Sequence, residues 1–427
     1  MKLELGRINI EDIKFGENTK ISNGVLTINK EELIEKIADD RMQAVDVDIV
    51  KPGDNVRIIP VKDVIEPRVK VEGNGGVFPG FIADNEMVGS GRTHALQGMA
   101  VITTGKIVGF QEGIIDMSGP GADYTPFSSL KNVVVSCEVN EDIEQHEHEE
   151  ILREAGLKTA AYLGETARDI NPDTVDVYEH KPLSEAYAEY PELPKVGYIY
   201  MLQSQGLLHD TYVYGVDAKQ ILPTLISPTE VMDGAIISGN CVSACDKNAT
   251  YIHQNHPVIE DLYKQHGKEI NFVGVIITNE NVTLGDKKRS SNFAGRLAEQ
   301  LGLDAAIISE EGFGNPDADL IMNCTNLEKR GIDTVLLTDE FAGRDGASQS
   351  LADANPAADA VITAGNANEV ITLPPMDKVI GHQKFADVIA GGFDGSLNDD
   401  GSINVEIQAI TGSTNELGFH KLTARGY

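Results

Sequence analysis

The chain has 427 residues, 41% hydrophobic and 24% charged, a composition with enough apolar side chains for one or two globular cores. Lys and Arg total 35 against 67 Asp and Glu, a formal charge of -32, and that field repels phosphate backbones and anionic lipid. General nucleic-acid or membrane-surface binding is excluded on that ground. The longest apolar runs, such as Phe272 to Thr278, are too short to span a bilayer, and MKLELGRINIEDIKFGE carries no apolar signal core. Cys137, Cys241, Cys245 and Cys324 are too few and too dispersed for a disulfide framework. A soluble, cytoplasmic protein of two or three domains is expected.

Residues 1–135 read as a β-rich region. RINIEDIKFG, SNGVLTIN, AVDVDIV, NVRIIPV and PRVKVEG are short alternating runs parted by turn residues. Glycine-dense loops follow at 73–80, 88–94 and 118–127; they read as hairpin and bulge turns, although such loops can also hold an anion on backbone N–H groups. Residues 136–240 read as a mixed region. VVVSCEV and KVGYIYMLQ are buried strands, IEQHEHEEILREAGLKTAAYLGETA is a long amphipathic helix, and MDGAIISG ends at a turn.

Residues 241–427 alternate strands and helices. The strands are NFVGVIIT, DAAIISE, TVLLTDE and ADAVITAGN, and the helices are SSNFAGRLAEQLG and DADLIMNCTNLEKRG. The pattern predicts an α/β fold in which a doubly wound, mostly parallel, Rossmann-like sheet follows the β-rich region. Ligands of such sheets collect beyond the carboxyl ends of the strands. Those ends carry TNEN, SEEGFGNPDAD, TDEFAGRDGA and TAGNAN, so acids, amides and glycines are expected at one rim.

Three chemistries were weighed. EEGFGNPDAD lacks the third glycine of a dinucleotide loop, and no phosphate-binding GxxxxGK[ST] occurs, which disfavours a nicotinamide dehydrogenase. His146 and His148 are two apart on a helix, point to different faces, and are expected in solvent. His253 and His256 could approach one ligand, and Cys241 and Cys245 would share a face if VSACDKN were helical. With no CxxC or HExxH, no metal site is expected. The third is self-processing at Asn240-Cys241, which follows a strand and a Ser-Gly turn. The Cys241 sulfur can attack the Asn240 carbonyl, and β-elimination then cuts the chain. The new N-terminus is a dehydroalanine that tautomerises and hydrolyses to a pyruvoyl ketone. On spacing alone, an ordinary buried cysteine explains the same residues.

The sequence resembles the pyruvoyl-carrying proprotein subunit of component B of the glycine, sarcosine and betaine reductases. The blocks that carry the likeness run nearly end to end. They include ELGRINIEDIKFGE, PVKDVIEPRVKVEG, GSGRTHALQGMAVITTGKIVGFQEGIIDMSG, PTEVMDGAIISGNCVSACDKN, NFVGVIITNENV, ISEEGFGNPDADLIMN and EFAGRDGASQSLADA. The glycine reductase form is nearest, and the proprotein of D-proline reductase is a more distant relative.

The resemblance implies cleavage between Asn240 and Cys241 into pieces of about 26 and 20 kDa, in proportion to their share of 46.1 kDa, with the pyruvoyl group derived from Cys241. It implies a separate selenocysteine-containing component B subunit, because this chain has no selenocysteine. It also implies a small selenoprotein component A, an acetyl-phosphate-forming component C, and thioredoxin as electron donor. The reaction would be reductive deamination of glycine to acetyl phosphate and ammonia. The substrate amine would add to the ketone as an imine and the partner's selenolate would attack the α-carbon; betaine, without an N–H, cannot form that imine. Arg92 and Arg344 are candidates for the substrate carboxylate. Asp246, His209 and His253 are candidates for the base in processing. Cys245 reads as a core residue in preference to a redox partner, and Cys137 and Cys324, in apolar surroundings, are read as structural. Two other readings stay open: an uncleaved scaffold for the selenoprotein subunit, and an Asn-Cys hydrolase with a free N-terminal Cys241.

Overall fold

The β-rich region holds β1 (Lys2–Asn9), β2 (Met42–Val50), β3 (Val56–Ile65), β4 (Arg68–Glu72), β5 (Gly91–Gln97), β6 (Met99–Gly105), β7 (Gly113–Asp116) and β8 (Lys131–Val139), with short strands at Asp12–Phe15 and Val25–Ile28 where RINIEDIKFG and SNGVLTIN alternate; β5, β6 and β7 lie where glycine-dense turns alone were expected. The helix α1 (Gln145–Glu165) and β9 (Thr174–Glu179) follow. The computed structural model describes residues 1–206, 208, 210–239, 243–418 and the backbone of 425–426. One sheet has the order β9-β1-β5-β4, the other β7-β3-β6-β8-β2. The pairs β1/β5 and β6/β8 run parallel and their neighbours antiparallel.

The helix α1 lies on β6, β3 and β4 and buries Ile151, Leu152, Leu157, Ala160 and Leu163. Two glycines set how close it comes. A Cβ on Gly156 would stand 2.5 Å from Thr103 Oγ1, and one on Gly164 would stand 2.1 Å from the Arg68 carbonyl oxygen.

Strand β3 is buried along its whole length although it contains Arg57, Lys62 and Asp63. Unpaired charges there would be prohibitive, so each finds a partner on a different element. Arg57 forks onto Asp116 of β7, both bonds 2.7 Å. Lys62 Nζ donates to Glu149 of α1 at 3.0 Å. Asp63 accepts from both the backbone N–H and the hydroxyl of Thr250, at 3.0 and 2.6 Å.

The elements that build the rest of the site's surroundings are β10 (Lys195–Leu202), β11 (Thr211–Val213), β12 (Thr224–Ile226), β13 (Ile236–Ser238), α2 (Thr250–Gln254), β14 (Asn271–Asn279), α3 (Leu284–Gln300), β15 (Ala305–Ser309), α4 (Asn315–Glu328), β16 (Asp333–Glu340), β17 (Val361–Asn366), β18 (Lys378–Gly381) and β19 (Arg425–Gly426). A seven-stranded sheet has the order β12-β14-β10-β15-β16-β17-β19. Its five inner strands are parallel, which is the α/β architecture expected. Strand β14 is buried throughout, and its apolar run faces helices or sheet on both sides.

In the parallel run the first strand, β10, has the second, β14, on one side and the third, β15, on the other. The direction of winding therefore reverses beside β10. That reversal opens a crevice beyond the carboxyl ends of β10 and β15. The sheet takes β10 and β12 from before residue 240 and β14 to β17 from after it, so the two sides of the candidate junction share one hydrogen-bonded sheet. The long connection from β10 to β14, residues 203–270, carries that junction. Strand β18 crosses back to pair with β3. No helix among the described residues is long and apolar enough to cross a membrane.

Gly164→Ala forces α1 off β4 and is expected to lower stability by about 1–3 kcal/mol. Urea unfolding followed by circular dichroism reads this, and an unchanged midpoint would mean that the contact relaxes freely.

Candidate functional site

Asn240, Cys241 and His209 lie outside the described residues, but both flanks of the junction are defined. On the upstream side, β13 pairs antiparallel with β11 and the Gly239 N–H donates to the Asp210 carbonyl. The Ser238 N–H donates to Thr250 Oγ1 at 3.0 Å, and that hydroxyl in turn bonds Asp63. On the downstream side, residues 243–248 are all buried. The C-terminal segment wraps them: the Gly412 N–H donates to the Ala244 carbonyl at 2.7 Å and the Thr414 N–H to the Cys245 carbonyl at 3.1 Å.

Lys247 ties the two flanks together. Its Nζ donates to the Gly239 carbonyl at 3.0 Å and also to the carbonyl of Lys62. The amine is fully buried, and burial pulls its pKa down while the nearby Asp63 carboxylate pulls the other way. A buried Nζ donor therefore sits on the carbonyl immediately before Asn240.

Farther upstream, Asp233 is the anchor of MDGAIISG. Its carboxylate takes the Gly89 N–H at 2.7 Å, the Thr93 hydroxyl and the Lys70 ammonium. The GSGRTH loop thus does hold an anion on a backbone N–H, but that anion belongs to the chain itself. Gly89 has φ +89°, and a Cβ there would meet the Glu230 nitrogen at 2.8 Å, so only glycine permits the approach.

The strand-end loops gather as expected and make the crevice strongly acidic. The Glu311 carboxylate accepts from the N–H of Asn248 at 3.1 Å, the hydroxyl of Thr211 at 3.1 Å and the N–H of Gln203 at 3.3 Å. It thereby joins β15 to β10 and to the segment after the junction. Burial outweighs these three donors and pushes its pKa up to about 8. Burial also holds Glu280, Glu310, Asp339 and Glu416 well above the usual carboxylate range. It raises Asp319 to about 6 against the pull of Lys287. The N-terminus of α4, where a dinucleotide phosphate would rest, is capped by Asp317, whose carboxylate accepts the Gly314 N–H at 2.7 Å.

The other predicted residues divide. Asp246 lies in the crevice, fully buried, with burial raising it to about 7. His253 is on α2, its Nδ1 2.8 Å from the Tyr200 hydroxyl; burial, helped by Lys247, lowers it to about 3 and keeps the ring neutral. Arg92 is half-buried on β5 and bound to Glu4. Arg344, after β16, donates to Glu406 and lies over the Phe393 ring. Each arginine is thus held by a carboxylate of the chain, and they sit on different elements.

Two expectations are corrected. His146 is exposed, but His148 turns inward and is buried rather than solvated, with burial lowering it to about 4. Residues 244–246 form a turn and not a helix. Cys245 is buried among carboxylates and not in an apolar core, its Sγ 3.6 Å from Asp246 Oδ1 and 3.8 Å from Asp339 Oδ2. Cys137 and Cys324 do sit in apolar clusters. Sequence reasoning missed Lys247, Asp63, Thr250 and Glu311. The one available signal was Lys62-Asp63, two charges inside the apolar run of β3.

Glu311 is an acid whose pKa is raised on folding, from an ordinary 4.5 to about 8. Its stabilising contribution is therefore complete below pH ~4.5 and is lost as pH rises towards 8. Between these limits wild type is expected to lose up to about 1.4 kcal/mol per pH unit relative to Glu311→Gln. Urea midpoints of the two proteins from pH 5 to 9 test this, and parallel curves would show Glu311 to be ionised throughout.

The profile of the glycine/sarcosine/betaine reductase component B subunits matches residues 1–425. The chain is 67% identical to the glycine reductase complex component B subunits alpha and beta of Acetoanaerobium sticklandii, over the whole of both chains. It is 66% identical to the same-named protein of Peptoclostridium acidaminophilum and 58% identical to that organism's sarcosine reductase complex component B subunit alpha, again over full length. No solved structure matches. With the glycine forms nearer than the sarcosine form along a chain matched from end to end, this protein belongs to the glycine/sarcosine/betaine reductase component B family.

Proposed function

We propose that the chain is a self-processing proprotein, cut between Asn240 and Cys241, that becomes the pyruvoyl-carrying part of a glycine reductase component B. The observation that carries this reading is the Lys247 ammonium 3.0 Å from the Gly239 carbonyl, inside a buried crevice at the winding reversal. It is supported by the names of two relatives, each a single polypeptide of this length named for two subunits, alpha and beta. A shared sheet on both sides of residue 240 would keep the two pieces together after the cut.

In processing, the Cys241 sulfur adds to the Asn240 carbonyl carbon and the 241 nitrogen leaves as an amine, giving a thioester. Loss of the 241 α-proton and rupture of the Cβ–S bond release Asn240 as a thiocarboxylate and leave a dehydroalanine. Tautomerisation and hydrolysis by water expel ammonia and leave the pyruvoyl group. Lys247 positions the strand entering this junction by holding the Gly239 carbonyl against β3. Residues 243–248, pinned by the C-terminal segment, fix the other side.

The pyruvoyl ketone supplies an electrophile for a substrate amine. The buried acids Glu311, Asp339 and Glu416, which burial holds towards the protonated form, can release protons to balance a cationic amine that enters beside them. The chain contributes no selenium, so the selenolate of the reductive step belongs to a separate selenocysteine subunit. Acetyl phosphate and ammonia as products, the carrier selenoprotein, the acyl-transferring component and thioredoxin complete the proposal, with glycine favoured by the nearer relatives.

Intact-mass spectrometry of the native protein, with and without borohydride and glycine, is the test. Two fragments near 26 and 20 kDa are expected, by proportion of 46.1 kDa, the smaller gaining reductively attached glycine. A single full-length mass would replace this reading with an uncleaved scaffold, and an intact N-terminal cysteine on the smaller fragment would indicate a hydrolase. Lys247→Met frees the Gly239 carbonyl and is expected to slow cleavage by about 10²-fold through lost positioning, measured by the time course of fragment appearance after synthesis. Cleavage at the wild-type rate would remove Lys247 from the processing machinery.

A further inference from the structure

We propose that Cys245, Asp246 and Asp339 form a binding site for a borderline-soft divalent cation of the zinc type, bridging the segment after the junction to the carboxyl end of β16. One atom from each residue lies within 4.8 Å of the other two, and all three residues are buried. The Cys245 sulfur stands 3.6 Å from Asp246 Oδ1 and 3.8 Å from Asp339 Oδ2. A tetrahedral ion with Zn–S near 2.3 Å and Zn–O of 2.0–2.2 Å requires sulfur-to-oxygen edges of about 3.5–3.7 Å. Both sulfur-to-oxygen edges lie at or just beyond that range, and the oxygen-to-oxygen edge is within 4.8 Å.

The unsatisfied chemistry of these groups points to a ligand independently of the spacing. Asp246 Oδ2 and Asp339 Oδ1 are buried without a hydrogen-bond partner among the described residues. No lysine or arginine among those residues pairs with either carboxylate, in contrast to the buried acids Asp116, Glu149 and Asp233, each of which has one. Buried carboxylates left in that condition are costly, and a dication removes the cost for both at once.

Outer contacts of the kind that orient metal ligands are present too. Thr414 donates its hydroxyl to Asp339 Oδ2 at 2.9 Å and its N–H to the Cys245 carbonyl at 3.1 Å. One thiolate with two carboxylates suits zinc-like ions better than magnesium or calcium, which take all-oxygen shells. Three protein ligands leave a fourth position for water or a substrate oxygen. The site does not depend on the proposed cleavage, because none of its atoms belongs to Asn240 or Cys241.

The test uses the full-length chain prepared without a histidine tag, stripped with chelator, then loaded with zinc or cobalt(II) and desalted. One zinc per chain by elemental mass spectrometry is expected, with a thiolate-to-cobalt charge-transfer band in the near ultraviolet. Both are lost in Cys245→Ser and Asp339→Asn and kept in Cys137→Ala, Cys324→Ala and Cys241→Ala. No stoichiometric metal in the wild-type chain overturns the proposal, as does a cobalt spectrum without the thiolate band. Loss of the band in Cys241→Ala, with retention in Cys245→Ser, would assign the ligand to the other cysteine and equally overturn it. Because the cobalt spectrum of the wild-type chain reads thiolate ligation directly, the result stands even where a variant fails to fold.

Discussion

The arrangement of the crevice rests on a balance of buried charge between β3 and the segment after residue 242. Asp63 is held by Thr250, Thr250 holds the last residue of β13, and Lys247 spans from the Lys62 carbonyl to the Gly239 carbonyl. Each group is desolvated, and each is tolerable only because the others are present. Removing one partner from such a set typically costs about 3–5 kcal/mol through the charge left behind. The β-rich half therefore acts as the wall on which the junction is mounted.

The opposite side of the crevice has the reverse electrostatics. Beyond the parallel strands stand Glu280, Glu310, Glu311, Asp319, Asp339 and Glu416, with Lys287 as a local counter-charge to Asp319. A sheet whose strand ends converge on one crevice forces these side chains together, and burial drives several of them towards the protonated form. Such a crevice is unsuited to phosphate and suited to an amine or a metal cation. Part of the excess of acid visible in the net charge of -32 is thus placed inside the protein.

The topology also explains how a break in the main chain can be compatible with a persistent fold. Strand β10 lies before the junction and is flanked on both sides by strands that come after it, β14 and β15. Strand β18, from near the C-terminus, pairs with β3. The halves are interleaved rather than adjoining, so separating them would expose the middle of a buried parallel sheet.

Much of this was legible in the sequence. Period-two alternation marked β2 to β4, and the alternation of apolar runs with amphipathic helices marked the parallel sheet. Both signals are local, set by the side-chain geometry of strand and helix. The long matching blocks identified the family and directed attention to Asn240-Cys241. What no local pattern could show was which charges would be buried together. Lys247 reads as a surface lysine until β3 is laid beneath it. Cys245 reads as a core residue until Asp339, far along the chain, is brought to 3.8 Å from its sulfur. His148 reads as a solvated histidine until α1 settles on the sheet. Secondary structure follows from neighbours in sequence, whereas desolvation and charge pairing follow from neighbours in space, and only the tertiary fold supplies those.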